Sequence, residues 1–368
     1  MSERPVGVGI IGRGVISGAY LEAARFFPQF EVRALADLDP AAAAARGQEF
    51  AVEALPVEAL LASDAIEIVL NLTIPKAHVP VGRAALAAGK HVYLEKPLAV
   101  GCAEAQNLLE DAAARGLRVG CAPDTFLGGG QQTARRLLDE GAIGEVIGGT
   151  AFLMLAGHER WHPNPDFYYA RAGGGPMLDM GPYYITALVN LLGPVAEVAA
   201  FGRIGRSPRV IRSGPRAGSA VPVECTTHIA GLMRFAGGAI VQIATSFEVW
   251  AHKHMPLELY GTGGSLAVPD PNRFGGPVEL CAADGGWQIM PTSHGYANGN
   301  YRGLGLADLA AALRAGRPHR ASGALAYHVL EVMEALVRAS EGAGIVGVRS
   351  RVARPAPLAP GLEVGALA

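Results

Sequence analysis

Six apolar or glycine positions in a row, Val6-Gly7-Val8-Gly9-Ile10-Ile11, form the first clear pattern in the chain. An uninterrupted run of this kind predicts a strand buried on both faces, as in parallel sheets. It runs into Gly12-Arg13-Gly14-Val15-Ile16-Ser17, and a helical pattern follows to Arg25. The alternation then repeats. Residues 31–36 read as a strand ending at Asp37, and residues 66–72 as another. A helix over 80–88 is stopped by Gly89. His91–Leu94 is a short apolar strand that ends in Glu95-Lys96-Pro97, where Pro97 has no N–H to continue a ladder. A helix over 103–114 and a strand over 117–122 follow. Strand–helix alternation with short loops predicts an α/β domain with a doubly wound parallel sheet, the Rossmann arrangement, over residues 1–124.

Past Asp124 the period changes. A helix is predicted over 131–140, a strand over 146–155, and a helix opening at Gly173-Gly174-Gly175-Pro176 and closing at Gly193-Pro194. Strands then follow one another without helices between them. Residues 227–235 and 239–246 flank Gly237-Gly238, a hairpin signal, and 256–260 with 264–268 look like a second hairpin. Helices over 303–315 and 322–340 come last. Residues 125–368 therefore read as a second, α+β domain, a largely antiparallel open sheet with helices on one face. The other face needs cover, so a homodimer or homotetramer through that sheet is expected.

Composition narrows the class. A chain of 368 residues, half of them hydrophobic, exceeds what one core usually holds. A formal net charge of −2 gives no reason to expect nucleic acid or a polyanionic partner. No apolar window is long enough for a membrane span. Cys102, Cys121, Cys225 and Cys281 are widely spaced and form no Cys-x-x-Cys pair, which reads as reduced cysteines and a cytoplasmic location.

The glycine turn carries the first candidate chemistry. In Gly-x-Gly-x-x-(small), Gly12 permits the tight turn, Gly14 allows backbone to approach a pyrophosphate, and the helix N-terminus offers N–H groups to it. Asp37 suits the two ribose hydroxyls and repels a 2′-phosphate, so NAD is favoured over NADP. Arg13 and Arg46 are the groups that could instead reach such a phosphate. Lys96 falls at the carboxyl end of a strand, the edge where open α/β sheets bind ligands. Asp124, after the last strand of this domain, is either near the substrate at the nicotinamide edge or a helix cap.

His158-Glu159-Arg160-Trp161-His162 spells His-Glu-x-x-His, which binds zinc only on a helix. Gly157 before it and Pro163 and Pro165 after it predict a loop, so no metal is expected. Trp161, His162 and Tyr168 offer stacking faces and hydrogen bonds suited to a sugar, unless the loop packs on its own domain.

These motifs together resemble the Gfo/Idh/MocA oxidoreductases over nearly the whole length. The resemblance rests on the Gly12-Arg13-Gly14 turn and the Glu95-Lys96-Pro97 block. It rests also on Gly141-Ala142-Ile143-Gly144-Glu145-Val146 and on Gly173-Gly174-Gly175-Pro176-Met177-Leu178-Asp179-Met180-Gly181. It implies NAD(P)-dependent hydride transfer to or from a sugar, inositol, glycoside or related polyol carbon. The family's lysine and aspartate fall on Lys96 and Asp179. Tyr183 stands where many members carry histidine. Thr73 and His78 match part of a nucleotide-contact segment, and Glu95 and Lys96 join the cofactor contacts. Asp179 and Tyr183, four apart, share a helix face. Tyr183 relaying a proton with Lys96 beside it is one arrangement, and Lys96 as the direct acid/base is the other. Two alternatives begin from the same cradle: glycoside cleavage through transient oxidation at C3, and a catalytically silent nucleotide sensor.

Overall fold

The computed structural model describes residues 4–367. The chain divides into two compact units. One runs to Gly129 and includes Ser293–Tyr327 and the stretch from Pro355. The other comprises Gly130–Thr292 and His328–Arg354. The sequence division at 124 follows chain order, whereas two later segments return to pack in the first unit.

The first unit begins β1 (Val6–Ile11), α1 (Val15–Ala23), β2 (Phe30–Ala36), α2 (Pro40–Phe50), β3 (Glu53–Ala54) and α3 (Val57–Ala62). It continues β4 (Ile68–Asn71), α4 (Pro75–Ala87), β5 (His91–Leu94), α5 (Cys102–Ala114) and β6 (Val119–Cys121). All six strands are parallel, in the order β3-β2-β1-β4-β5-β6. Every residue of β1 is buried, as the continuous apolar run requires of a strand covered on both sides. Strand order reverses beside β1, so the carboxyl ends of β1 and β4 splay apart and leave a crevice for a ligand.

The second unit begins within α6 (Gly129–Asp139) and contains β7 (Val146–Met154), α7 (Pro176–Leu192), β8 (Val195–Arg203), β9 (Arg209–Val210) and β10 (Ala220–Val221). Then come β11 (His228–Phe235), β12 (Ile240–Ser246), β13 (Leu257–Gly261), β14 (Gly264–Val268), β15 (Val278–Ala282) and β16 (Gln288–Met290). After α8 (Leu304–Ala315), which lies in the first unit, α9 (Gly323–Arg338) leads into the second, and β17 (Val346–Gly347) adds its last strand. The sheet order is β16-β15-β14-β13-β7-β12-β11-β8-β17. Among the described residues only the β7–β12 pair of this sheet is parallel, because α7 and the strands after it carry the chain around before β12 joins β7. Glycine at Gly237-Gly238 joins β11 to β12, as expected.

α7 packs on β7, β11 and β12 and is buried along most of its length, Ile185, Leu188 and Val189 completely. Each such side chain contributes about 1.5–3 kcal/mol by leaving water. The opposite face has a cross-strand row, Phe201–Ala230–Ala244–Phe152, and Phe201 is 87% exposed. No helix of the described residues is long and apolar enough to cross a membrane.

Candidate functional site

The cradle at the end of β1 is made of main chain. Gly12 adopts φ +103°, and a Cβ there would lie 2.7 Å from the Leu72 carbonyl carbon and oxygen and 2.8 Å from Thr73 N. Only glycine fits that approach. Gly14 has open space where a Cβ would point. α1 starts at Val15, with Ile16 next, so its first N–H groups face outward without side-chain caps. Asp37, at the tip of β2, accepts the Arg13 N–H through Oδ2 at 2.8 Å and the Asp39 N–H through Oδ1 at 3.0 Å. The carboxylate therefore stands beside the glycine turn at a fixed height. Val15, Leu38 and Ile74, at the tips of β1, β2 and β4, are 96%, 97% and 68% exposed. Apolar side chains this open around a helix N-terminus and an acceptor fit a flat apolar base, a ribose and a pyrophosphate. The residues present thus suit NAD, which Gly12, Arg13, Gly14, Val15, Ile16 and Asp37 would hold. Arg46 pairs with Glu49 at 2.7 Å.

Glu95-Lys96-Pro97 follows β5 on the same sheet edge. Glu95 accepts the Tyr20 hydroxyl at 2.9 Å and the Lys96 N–H at 2.9 Å. His78 is 1% exposed, with Nδ1 2.7 Å from the Pro97 carbonyl and Nε2 3.1 Å from the Thr73 carbonyl. Burial lowers its basicity, against the pull of those carbonyls. His78 thus ties the end of β4 to the Lys96 turn from inside. Thr73 donates its hydroxyl to Asn71 Oδ1 at 2.7 Å, and Asn71 in turn donates to the His78 carbonyl at 3.0 Å.

Asp124, expected near the substrate or as a helix cap, is buried at a helix N-terminus. It is 1% exposed, and its Oδ2 accepts the Gly303 and Gly305 N–H groups at 2.8 and 3.0 Å. It thereby caps α8, whose own N-cap residue, Gly303, has no side chain to do so. Burial pushes its carboxyl up to about 6 although both N–H groups pull it down.

In the second unit the loop from β7 to α7 brings His158, Trp161, Tyr168 and Asp179 together. Asp179 lies in the first turn of α7, and its N–H donates to the Gly175 carbonyl at 3.1 Å. His158 Nε2 is 2.8 Å from Asp179 Oδ2. The Trp161 indole donates to His158 Nδ1 at 3.1 Å, and Tyr168 packs on the imidazole with centroids 4.3 Å apart. His162 accepts the Asn164 N–H at 3.1 Å and meets Tyr168 edge-on. Tyr183, one turn past Asp179, is 8% exposed. The His-Glu-x-x-His string forms a short 3₁₀ turn, not an α-helix. Its Glu159 is buried between Arg209, at 3.0 Å, and the Tyr169 hydroxyl.

Residues 6–122 match the family model described as oxidoreductase family, NAD-binding Rossmann fold, and residues 131–267 match the GFO/IDH/MocA C-terminal domain. A dTDP-3,4-didehydro-2,6-dideoxy-alpha-D-glucose 3-reductase from Streptomyces antibioticus is 36% identical over 249 residues, 66% of this chain and 68% of that protein. This chain belongs to the GFO/IDH/MocA oxidoreductase family. A levoglucosan dehydrogenase from Pseudarthrobacter phenanthrenivorans is 25% identical over 285 residues, 70% of this chain and 72% of that one. Among solved structures, an NAD binding oxidoreductase from Klebsiella pneumoniae superposes with TM-score 0.82 at 22% identity, covering 94% of this chain and all of the other. That likeness is one of fold.

For this family member, sequence reasoning missed the partnership of His158 with Asp179 and the buried chain behind it. Arg209 is 2% exposed and bridges Glu159 to Glu248, at 3.0 and 2.5 Å. Burial pushes the Glu248 carboxyl up, but Arg206, Thr227 and Arg209 outweigh it and hold it at about 2. Gly157, at φ +104°, leaves no room for a Cβ, which would fall 2.2 Å from Glu159 Oε2. A glycine before a His-Glu pair was the available signal. Nothing local in the sequence names Arg209 as the partner.

Proposed function

We propose that this enzyme moves hydride between NAD and a carbinol carbon of a sugar or related polyol, with Lys96, Asp179 and Tyr183 acting on the reacting oxygen. The observation that carries the reading is that Lys96 leaves the carboxyl end of β5 on the same parallel-sheet edge as the Gly12 turn and Asp37. Relatives named for sugar redox chemistry support the substrate class. Bound NAD supplies the hydride acceptor or donor. A carbinol gives up hydride only as its hydroxyl proton is taken, so a group within hydrogen-bond reach must accept that proton. In this reading Tyr183 or Lys96 takes that proton, and Asp179 orients the hydroxyl. Asp37 selects NAD over NADP.

The test is a panel of polyols, aldoses and glycosides followed at the NADH absorbance with both cofactors. Lys96→Met and Tyr183→Phe should each lower turnover by about 10²–10⁴ while the NAD dissociation constant changes little. Near-normal turnover in either variant removes that residue from the mechanism. Glycoside cleavage without net NADH would replace the dehydrogenase reading.

The exposed face around Phe201 and Leu232 supports assembly of two or four copies through this sheet. Sedimentation of the wild type against Phe201→Lys tests it. All four cysteines are free thiols, in keeping with a reducing cytoplasm.

A further inference from the structure

Both ring nitrogens of His158 are engaged within the second unit, and their partners decide where its proton sits. Trp161 Nε1 lies 3.1 Å from Nδ1, and an indole nitrogen only donates. Nδ1 must therefore offer its lone pair. The proton of the neutral ring is on Nε2, pointed at Asp179 Oδ2 2.8 Å away. Tyr168 and Phe247 pack on the ring, at 4.3 and 4.8 Å between centroids. Behind it, the His158 N–H donates to the Tyr169 hydroxyl at 3.2 Å, Tyr169 donates to Glu159, and Glu159 pairs with Arg209. Glu159 and Arg209 are 4% and 2% exposed, so this support is buried.

We propose that His158 is a positioning residue for Asp179, held as the Nε2–H tautomer by Trp161 on one ring nitrogen and by the carboxylate on the other. With the other tautomer, a bare Nε2 would face the carboxylate and repel it. Trp161 spends its N–H on His158 yet remains 59% exposed. Displacement of the indole by a ligand on this loop would therefore be felt at Asp179. The inference rests on the reading that Asp179 contacts the substrate, and it adds the residue that aims it.

Two measurements test it. Long-range ¹H–¹⁵N spectra of the full-length protein, with His158 identified by its loss in His158→Gln, should show a protonated Nε2 and a bare Nδ1. Trp161→Phe, which takes the donor away from Nδ1, should shift the Nδ1 resonance while the carboxylate keeps the proton on Nε2. A protonated Nδ1 in the wild type, or an unchanged His158 signal in Trp161→Phe, overturns the proposal. This arm needs no substrate, so its outcome is separate from that of the sugar reading. In the activity arm, His158→Leu should lower kcat on the order of tenfold or more, as loss of alignment does. KM should change less. His158→Gln, whose amide can still donate, should recover most of the loss. In an Asp179→Asn background, His158→Leu should cost nothing further. An equal loss with and without the Asp179 carboxylate overturns the proposal.

Discussion

At the tip of β1 the groups offered to a ligand are main-chain N–H groups, shaped by one glycine at φ +103° and by a carboxylate on the neighbouring strand. In the first turn of α7 a side chain, Asp179, is held by His158 and, through it, by Trp161. A chain of Tyr169, Glu159, Arg209 and Glu248, buried but for the half-buried Glu248, backs the loop that bears His158. The first arrangement is local and belongs to any strand–turn–helix with glycine in the right places. The second is assembled from residues far apart in the chain, each of which depends on the rest. A dinucleotide can be bound by a fixed backbone shape. A reacting hydroxyl needs a side chain aimed to a fraction of an ångström, and aiming takes a supporting shell.

The largest expected effect separates the two. Arg209→Ala leaves the buried Glu159 without its cation, while Glu248 keeps Arg206. It should cost about 3–5 kcal/mol in urea unfolding. A cost under about 1 kcal/mol would mean that the ion network does not hold the loop. Gly12→Ala sharpens the other side. The new Cβ meets the Leu72 carbonyl and the backbone is strained at positive φ. NAD affinity by calorimetry should fall by about a hundredfold, with a smaller loss of stability than Arg209→Ala. An unchanged affinity would show that the cradle tolerates a side chain there.

The smallest effect concerns Asp124. Its folded carboxyl titrates at about 6, above the usual value. Between about pH 4 and 6 the folded protein keeps a proton that the unfolded chain releases, so this group's contribution to stability falls as pH rises through that window. Asp124→Asn keeps an acceptor for Gly303 and Gly305 but does not titrate. The stability difference should therefore move in the variant's favour from pH 4 to pH 7, by no more than about 3 kcal/mol. A difference that stays constant with pH would show that Asp124 does not titrate there.

The alternating runs around Val8, Val69 and Val92, the Gly12 turn, Asp37 and the Glu95-Lys96-Pro97 stop were all legible, because strand burial, helix starts and glycine turns act over a few residues. So were the hairpin at Gly237-Gly238 and the start of α7. The returning segments were not, since nothing near residue 293 or 355 states which core it will join. Nor were the partners of Asp124, two N–H groups at Gly303 and Gly305 far along the chain, or the proton on His158, which depends on Trp161 and Asp179 meeting it in space. Periodicity and turn chemistry are properties of neighbours along the chain. Capping partners, ion networks and tautomers depend on which side chains folding brings within about 3 Å.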